Sequence, residues 1–443
     1  MNGSPCCVTW FCLGVMLSIA SLPAMAFDGT AVGKMETGID RSNMSTEWTL
    51  SPPAEPNAYP FNAPYNGQGV FEARRVAVFD GIARLHPQWF RDGLGAGTPQ
   101  DVQLFVDTVR QMHARGIKVL AVVGASASDF DPKDHISPAA SGCQWGVFPL
   151  SKIDLSKFEQ RLRANLEVVK KAGESIDAFE IGNELDLYCN DADMPKTSEF
   201  AAHQWKWFLT PEQVHAFDAG YAPFLATFTK VAREYFPHSK LITFGMSNPT
   251  GNSAPLIAAL ADFKDKTGKP FDYTSLVDGY GTHIYPSSDT TLGLITQATA
   301  QLTSQAATFP HGRQKAIWIT EWSEAASAFW SSHRWYFQPT RRGNAMLDLN
   351  EEDTEHRFSP MTRAEVIEAF QNQVIGHLRS MPNPINIGYL FYYSYDSAGK
   401  SPMCDATVFN TSRGIKGTCF NGVIDPLTGK LLPDIAAALE RGR

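Results

Sequence analysis

The sequence predicts an α/β fold, a (β/α)8 barrel built as a single domain with long loops at the C-terminal face of its strands. Three observations carry that expectation. Eight short apolar runs recur along the chain. Amphipathic stretches fill most of the gaps between them. No Gly-rich phosphate fingerprint follows the first run, which separates a closed barrel from a doubly wound nucleotide-binding sheet.

In order, the expected strands are Lys34–Asp40, Ile82–His86, Ile117–Val123, Ala178–Asn183, Leu241–Met246, Gly279–Tyr285, Ala316–Glu321 and Ile387–Tyr393. Between the first two, Leu50 to Gly67 is rich in Pro, Asn and Tyr and reads as irregular loop. After the second, Val102, Phe105, Val106, Val109 and Met112 recur at helical spacing and predict a helix over Asp101–Arg115, with Thr98 as a cap. Further helices are expected at Leu155–Ala172, Thr210–Phe236, Pro255–Lys266, Leu292–Ala307, Thr362–Ser380 and Pro433–Arg441. No repeat, heptad array or low-complexity tract interrupts this alternation.

Residues 1–26 read as a cleaved export signal: an apolar stretch through Val8–Leu22, then Pro23-Ala24-Met25-Ala26 ahead of Phe27. The run is short for a spanning helix, so the expectation is a secreted or periplasmic domain over 27–443 with no membrane association. A net charge of −8 without Lys/Arg clusters argues against nucleic acid or anionic lipid as partner. Four cysteines follow the signal, at 143, 189, 404 and 419. In an exported protein an even count indicates disulfides, with Cys404–Cys419 and Cys143–Cys189 the favoured pairing of three possible. None of their spacings is a zinc pattern.

In such a barrel, chemistry belongs to polar residues that end apolar strands. The fourth strand ends Phe179-Glu180-Ile181-Gly182-Asn183-Glu184 and the seventh Ile317-Trp318-Ile319-Thr320-Glu321-Trp322. Two carboxylates facing each other across a barrel mouth are what glycosidic bond cleavage needs, one to protonate the departing oxygen and one to attack the anomeric carbon. Glu180 has the same parity as Glu184 but lies deeper, which fits a structural pair with a barrel arginine. Glu324 lies past the strand end and reads as a loop carboxylate.

These two segments resemble the acid/base and nucleophile motifs of glycoside hydrolase clan A, the retaining (β/α)8-barrel glycosidases that include families 5 and 39. The resemblance covers the chain at the level of strand order, and at residue level only a few short segments. By position it implies that Glu184 is the general acid/base and Glu321 the nucleophile. It further implies that Asn183 contacts the sugar 2-hydroxyl and that Arg84, on the expected second strand, keeps the nucleophile ionised. His283 and Tyr285 would line the subsite, with the tyrosine hydroxyl donated to Glu321. The eighth strand departs from the commonest pattern. Phe391-Tyr392-Tyr393-Ser394-Tyr395 stands where many members carry a tryptophan, so Tyr393 or Tyr395 would take that place.

The resemblance implies a β-linked oligo- or polysaccharide substrate, with no cofactor and no metal. Trp322, with Trp89, Trp145, Tyr188, Trp330 and Trp335, is a candidate for stacking on sugar faces. The long segment Ser323–Pro360 is a candidate for shaping a polymer cleft. Two other readings fit the same residues: a transglycosylase on the same site, and a carbohydrate-binding barrel without activity.

Overall fold

The computed structural model describes residues 34–41, 68–94, 99–143, 146–196, 209–247, 254–264, 268–285, 291–312, 314–323, 335–337, 346–348, 363–393, 395, 398–399, 419–420, 423 and 431–441. The expected signal at 1–26, the loop 50–67, Trp145, Trp330, Glu324 and the bridge through Cys404 lie outside them.

Eight parallel strands close into a barrel: β1 (Glu36–Asp40), β2 (Trp89–Gly93), β3 (Lys118–Val123), β4 (Ala178–Asn183), β5 (Lys240–Gly245), β6 (Gly279–Ile284), β7 (Ala316–Trp322) and β8 (Ile387–Tyr393). Each pairs with its neighbours in sequence, and β1 pairs with β8 to close the ring. A helix follows every strand: α1 (Gln68–Arg84), α2 (Pro99–His113), α3 (Leu155–Lys171), α4 (Pro211–Tyr235), α5 (Ala254–Ala259), α6 (Thr291–Thr308), α7 and α8 (Pro433–Arg441). Helix α7 runs as Arg363–Glu368, widens to π geometry over Ala369–Ile375 and ends with Gly376–Ser380. Within the long segment after β7, Trp335–Phe337 pairs antiparallel with Met346–Asp348.

Strand alternation sorts the core into two bodies. Outward residues such as Phe90, Val119, Phe179, Ile181, Leu241 and Ile319 pack against the helices. Inward residues Trp89, Leu120, Ala178, Ile242, Trp318, Tyr389 and Phe391 form a separate apolar plug in the barrel. In that plug Trp89 meets Trp318 edge-on at 5.4 Å between ring centroids. Above it, toward the strand C-termini, the interior turns polar. Arg91 is fully buried there and donates from one guanidinium to Asp40 and Glu180, each at 2.6 Å. The fold therefore sets a charged layer on an apolar floor, and the loops around that layer form the mouth.

The second strand corrects the sequence expectation. Ile82–His86 is not a strand: Arg84 is the last residue of α1 and is exposed to solvent. Val78, Phe79, Ile82 and Leu85 are buried at helical spacing, which is why that stretch looks apolar. The true strand, Trp-Phe-Arg-Asp-Gly, carries Arg91 and Asp92 where an apolar run would be sought.

Trp322 and Trp89 are corrected too. Trp89, expected in a sugar-facing loop, is 2% exposed inside the plug. Trp322 is 1% exposed and stacks on Phe370 of α7 at 4.4 Å, on the outer side of the barrel. The cause is a β-bulge. Between Ile319 and Trp322, β7 carries one residue more than either neighbouring strand, because Thr282 and His283 pair with Ile319 and Glu321 while Leu390 and Tyr392 pair with Ile319 and Trp322. Thr320 and Glu321 therefore both point inward and Trp322 turns out.

Three outcomes follow for stability in urea. Trp322→Ala, a core truncation, is expected to cost about 3–5 kcal/mol; a stability equal to wild type would contradict its outward packing. Arg84→Ala should stay within about 0.5 kcal/mol. Arg91→Met, which leaves buried carboxylates without their cation, should cost about 3–5 kcal/mol. Similar losses from both arginines would put the second strand back in question.

Candidate active site

Two backbone irregularities aim the carboxylates. On β4, strict alternation would send Asn183 outward with Ile181. Gly182 takes φ 97°, a left-handed conformation that glycine adopts freely, and alternation breaks there. A Cβ at Gly182 would also lie 2.5 Å from Leu185. Glu184 follows at φ 47°, held by its own N–H donated to the Gly245 carbonyl at 2.8 Å and by Asn190, whose Nδ2 donates to the Glu184 carbonyl at 3.1 Å. On β7, the bulge turns Glu321 inward beside Thr320. Both devices sit one or two residues from the group they aim.

Arg91 ties the layer together. Its Nη1 donates to Asp40 Oδ2 and to Glu321 Oε1, both at 2.6 Å, its Nε to Glu180 Oε2 at 2.6 Å and its Nη2 to Asn183 Oδ1 at 2.5 Å. Thr320 donates to the other Glu180 oxygen at 2.8 Å. Bonds in four directions fix a planar guanidinium far better than a lysine ammonium could be fixed. Beside it, Gly245 has no room for a side chain, since a Cβ would lie 2.3 Å from both Glu180 Oε1 and His283 Nε2.

His283, fully buried, bridges the pair: its Nδ1 lies 2.9 Å from Glu184 Oε1 and 3.4 Å from Glu321 Oε2. Tyr285 donates its hydroxyl to Glu321 Oε2. Tyr393, at the end of β8, meets the Tyr285 ring edge-on at 6.3 Å. Tyr395 turns away, with its hydroxyl against Gly81 of α1, so Tyr393 is the aromatic that reaches the mouth.

The carboxyls of Glu184 and Glu321 occupy opposite electrostatic settings. Burial raises the Glu184 carboxyl above its ordinary value; the hydrogen bond from His283 opposes this and the charge of Glu321 adds to it. Burial would raise Glu321 too, but the charges of His283 and Arg91, with hydrogen bonds from Tyr285 and Arg91, overcome it and hold it low. Burial disfavours the His283 imidazolium, yet Glu321 and Glu184 outweigh that and lift it to about 9.

Of the residues singled out in the sequence, Glu184, Glu321, Asn183, His283, Tyr285 and Tyr393 converge here, whereas Arg84 and Trp322 do not. Glu180 is the deep structural partner of a barrel arginine, as expected, but that arginine is Arg91. Sequence reasoning missed Arg91 because its strand looks polar, and Asp40 because it ends its strand without a motif around it. The signal that finds them is a charged residue at inward parity in a strand. Among the described residues, Glu184, His283 and Glu321 also offer ligand atoms within 4.8 Å of one another, close enough to hold a metal ion. Their chemistry fits one poorly, because the His283 ring holds a proton at neutral pH and Arg91 already bonds Glu321.

No protein-family model and no curated protein matches this sequence. Solved structures do match it. The chain is similar to a β-glucosidase from Thermotoga maritima in complex with cyclophellitol, at 11% identity over 92% of this chain and 96% of that one, with a TM-score of 0.50. It is also similar to a GH5_18 protein from Streptomyces cattleya in complex with GlcNAc, at 12% identity over 93% and 81% with a TM-score of 0.49. A third is a fungal β-1,4-galactanase, at 14% identity over 92% and 99% with a TM-score of 0.47. At such identities the likeness is one of fold. The fold is a closed (β/α)8 barrel, as the alternation of apolar runs and amphipathic stretches in the sequence leads one to expect.

Proposed function

We propose that this chain is a retaining β-glycoside hydrolase acting on a β-linked oligo- or polysaccharide, with Glu184 as general acid/base and Glu321 as nucleophile. One observation carries the reading: two carboxyls with oxygens within 4.8 Å of each other, one pushed toward its protonated form and the other held ionised. That separation suits direct attack and is close to the spacing of about 5–5.5 Å used by retaining enzymes, whereas inverting enzymes space their carboxyls by about 6.5–9.5 Å.

In the first half-reaction an oxygen of Glu321 forms a bond to the anomeric carbon as the glycosidic C–O bond breaks. The leaving oxygen takes the Glu184 proton. In the second, Glu184 as carboxylate removes a proton from water, the water oxygen bonds the anomeric carbon, and Glu321 departs ionised. Asn183, turned by Arg91 so that its NH2 faces away from the guanidinium, donates to the sugar 2-hydroxyl. Tyr285 and Arg91 hold one Glu321 oxygen each, which fixes the attacking group without the entropy cost of locating it. His283 stabilises Glu321 as an anion and hydrogen-bonds Glu184. Tyr393 supports the sugar ring.

The Cys143–Cys189 bridge fits the oxidising compartment that an export signal implies. No helix among the described residues is long and apolar enough to cross a membrane.

Glu321→Gln should abolish turnover of every substrate in a panel of β-linked polysaccharides and aryl β-glycosides. Glu184→Ala should slow unactivated substrates by about 10²–10⁴-fold while 2,4-dinitrophenyl glycosides keep a fast first step; equal losses on both would exclude the acid role. A 2-deoxy-2-fluoro glycoside should label Glu321. No adduct and no turnover with any sugar in the panel would favour the binding barrel instead, and transfer to added sugar in place of water would favour the transglycosylase.

The pH profile of kcat/KM should be a bell. Its acid limb, below the ordinary glutamate value of 4.5, marks protonation of the lowered Glu321; its alkaline limb, above 4.5, marks loss of the proton from the raised Glu184. Glu184→Ala should erase the alkaline limb with activated substrates. Dialysis against EDTA should leave kcat unchanged. Loss of activity on chelation, restored by a divalent metal, would overturn the metal-free mechanism.

A further inference from the structure

Beside the catalytic pair, the loops that follow β3 and β4 enclose a cavity of about 280 Å³. It is continuous with the mouth, because its wall includes Asn183 and Val122, a half-buried inward residue near the top of β3. The volume falls just below the ~300–1,000 Å³ of sites that hold drug-sized ligands, which fits a single ring rather than a chain.

The cavity does not depend on a ligand to hold it open. Its two loops are tied by the Cys143–Cys189 bridge, by the Leu150 N–H donated to Asp191 Oδ1 at 2.9 Å, by the Ala192 N–H donated to the Phe148 carbonyl at 3.1 Å and by the Ser151 N–H donated to Asp193 Oδ2 at 2.7 Å. Phe130 and Phe148 stack at 4.7 Å to make one wall. A preformed site loses little ordering entropy on binding.

Its chemistry is equally specific. The walls combine aromatic and aliphatic faces with a few neutral polar groups, among them Asn183, Asn190 and Ser126, and among the described residues no charged side chain lines the space. A carboxylate or sulfate brought here would lose its hydration, and the cation behind the wall, Arg161, which donates to the Gly124 carbonyl, is already paired with Asp129. A neutral pyranose, with apolar faces and hydroxyl edges, suits the same walls.

We propose that this cavity is a subsite for one uncharged sugar unit of the substrate, lying next to the unit whose bond is cleaved. The substrate is then a neutral β-glycan and not a polyuronate. The inference rests on the glycosidase reading above.

Gly124 and Val122 line the cavity; a Cβ added at Gly124 meets nothing within 4 Å, so Gly124→Leu extends into open space, and Val122→Phe adds bulk at the cavity wall, with urea unfolding checking that both variants are folded. The experiment compares wild type and both variants on 2,4-dinitrophenyl β-glycosides and on tetrasaccharides: cellotetraose, xylotetraose, mannotetraose, β-1,4-galactotetraose and a β-linked mannuronate tetramer. Calorimetric titration of each tetrasaccharide runs in parallel. In both variants, kcat/KM for the neutral tetrasaccharide that wild type cleaves should fall about tenfold or more, with the aryl monoglycoside unchanged and the mannuronate tetramer unbound by wild type. Equal effects on tetrasaccharide and monoglycoside, no effect on either, or tight binding of the mannuronate tetramer would each overturn the proposal. Should wild type cleave nothing, the glycosidase reading fails on its own; the subsite then stands if neutral tetrasaccharide affinity drops in both variants, and falls if wild type binds none of them.

Discussion

One buried guanidinium organises this protein. Arg91 lies fully inside the barrel and donates to Asp40, Glu180, Glu321 and Asn183, residues from β1, β4 and β7. A lone cation there would be prohibitively desolvated, and so would the carboxylates without it. Burial in company turns a liability into a scaffold. The charge is compensated, the planar fork fixes directions, and Glu321 cannot leave without exposing an uncompensated charge. The apolar plug of Trp89, Trp318 and their neighbours, just below, excludes water from the underside and keeps these interactions strong.

From that constraint the asymmetry of the two glutamates follows. Both are removed from bulk water, which alone would raise both. Glu321 touches Arg91, Tyr285 and the charged face of His283, and so remains an anion. Glu184, with side-chain exposure of 22%, has a hydrogen-bond partner in His283 and neighbouring anions in Glu321 and Asp186. The same imidazole serves both, so protonation of one carboxyl is coupled to that of the other, and the pair titrates as a unit. The division of labour is a property of the layer, not of either residue type.

The barrel was legible because its signal is redundant: seven of the eight expected strands fall on observed ones, and β4 and β8 match residue for residue. The glutamates were legible because each ends an apolar run. The second strand was not, and the reason is physical. A strand that carries a buried arginine and aspartate looks polar, while the end of α1, packed against the barrel, looks like a strand. Trp322 misled for a related reason, since a one-residue bulge inverts facing and leaves no mark in composition. Periodicity fails where function has displaced an apolar side chain or broken the alternation, as Gly182, Thr320 and Arg91 all do.

The most direct test of the account is the anomeric configuration of the first product, read by proton NMR within the first minutes of hydrolysis, before mutarotation. On the proposed mechanism, two carboxyls this close, one shifted toward its protonated form and one toward its anion, act in two displacements at the same carbon. The β-anomer must therefore appear first and the α-anomer only later, as equilibrium is approached. An α-anomer at the earliest times would mean that water attacks in a single step, and the direct role of Glu321 at the anomeric carbon would be wrong.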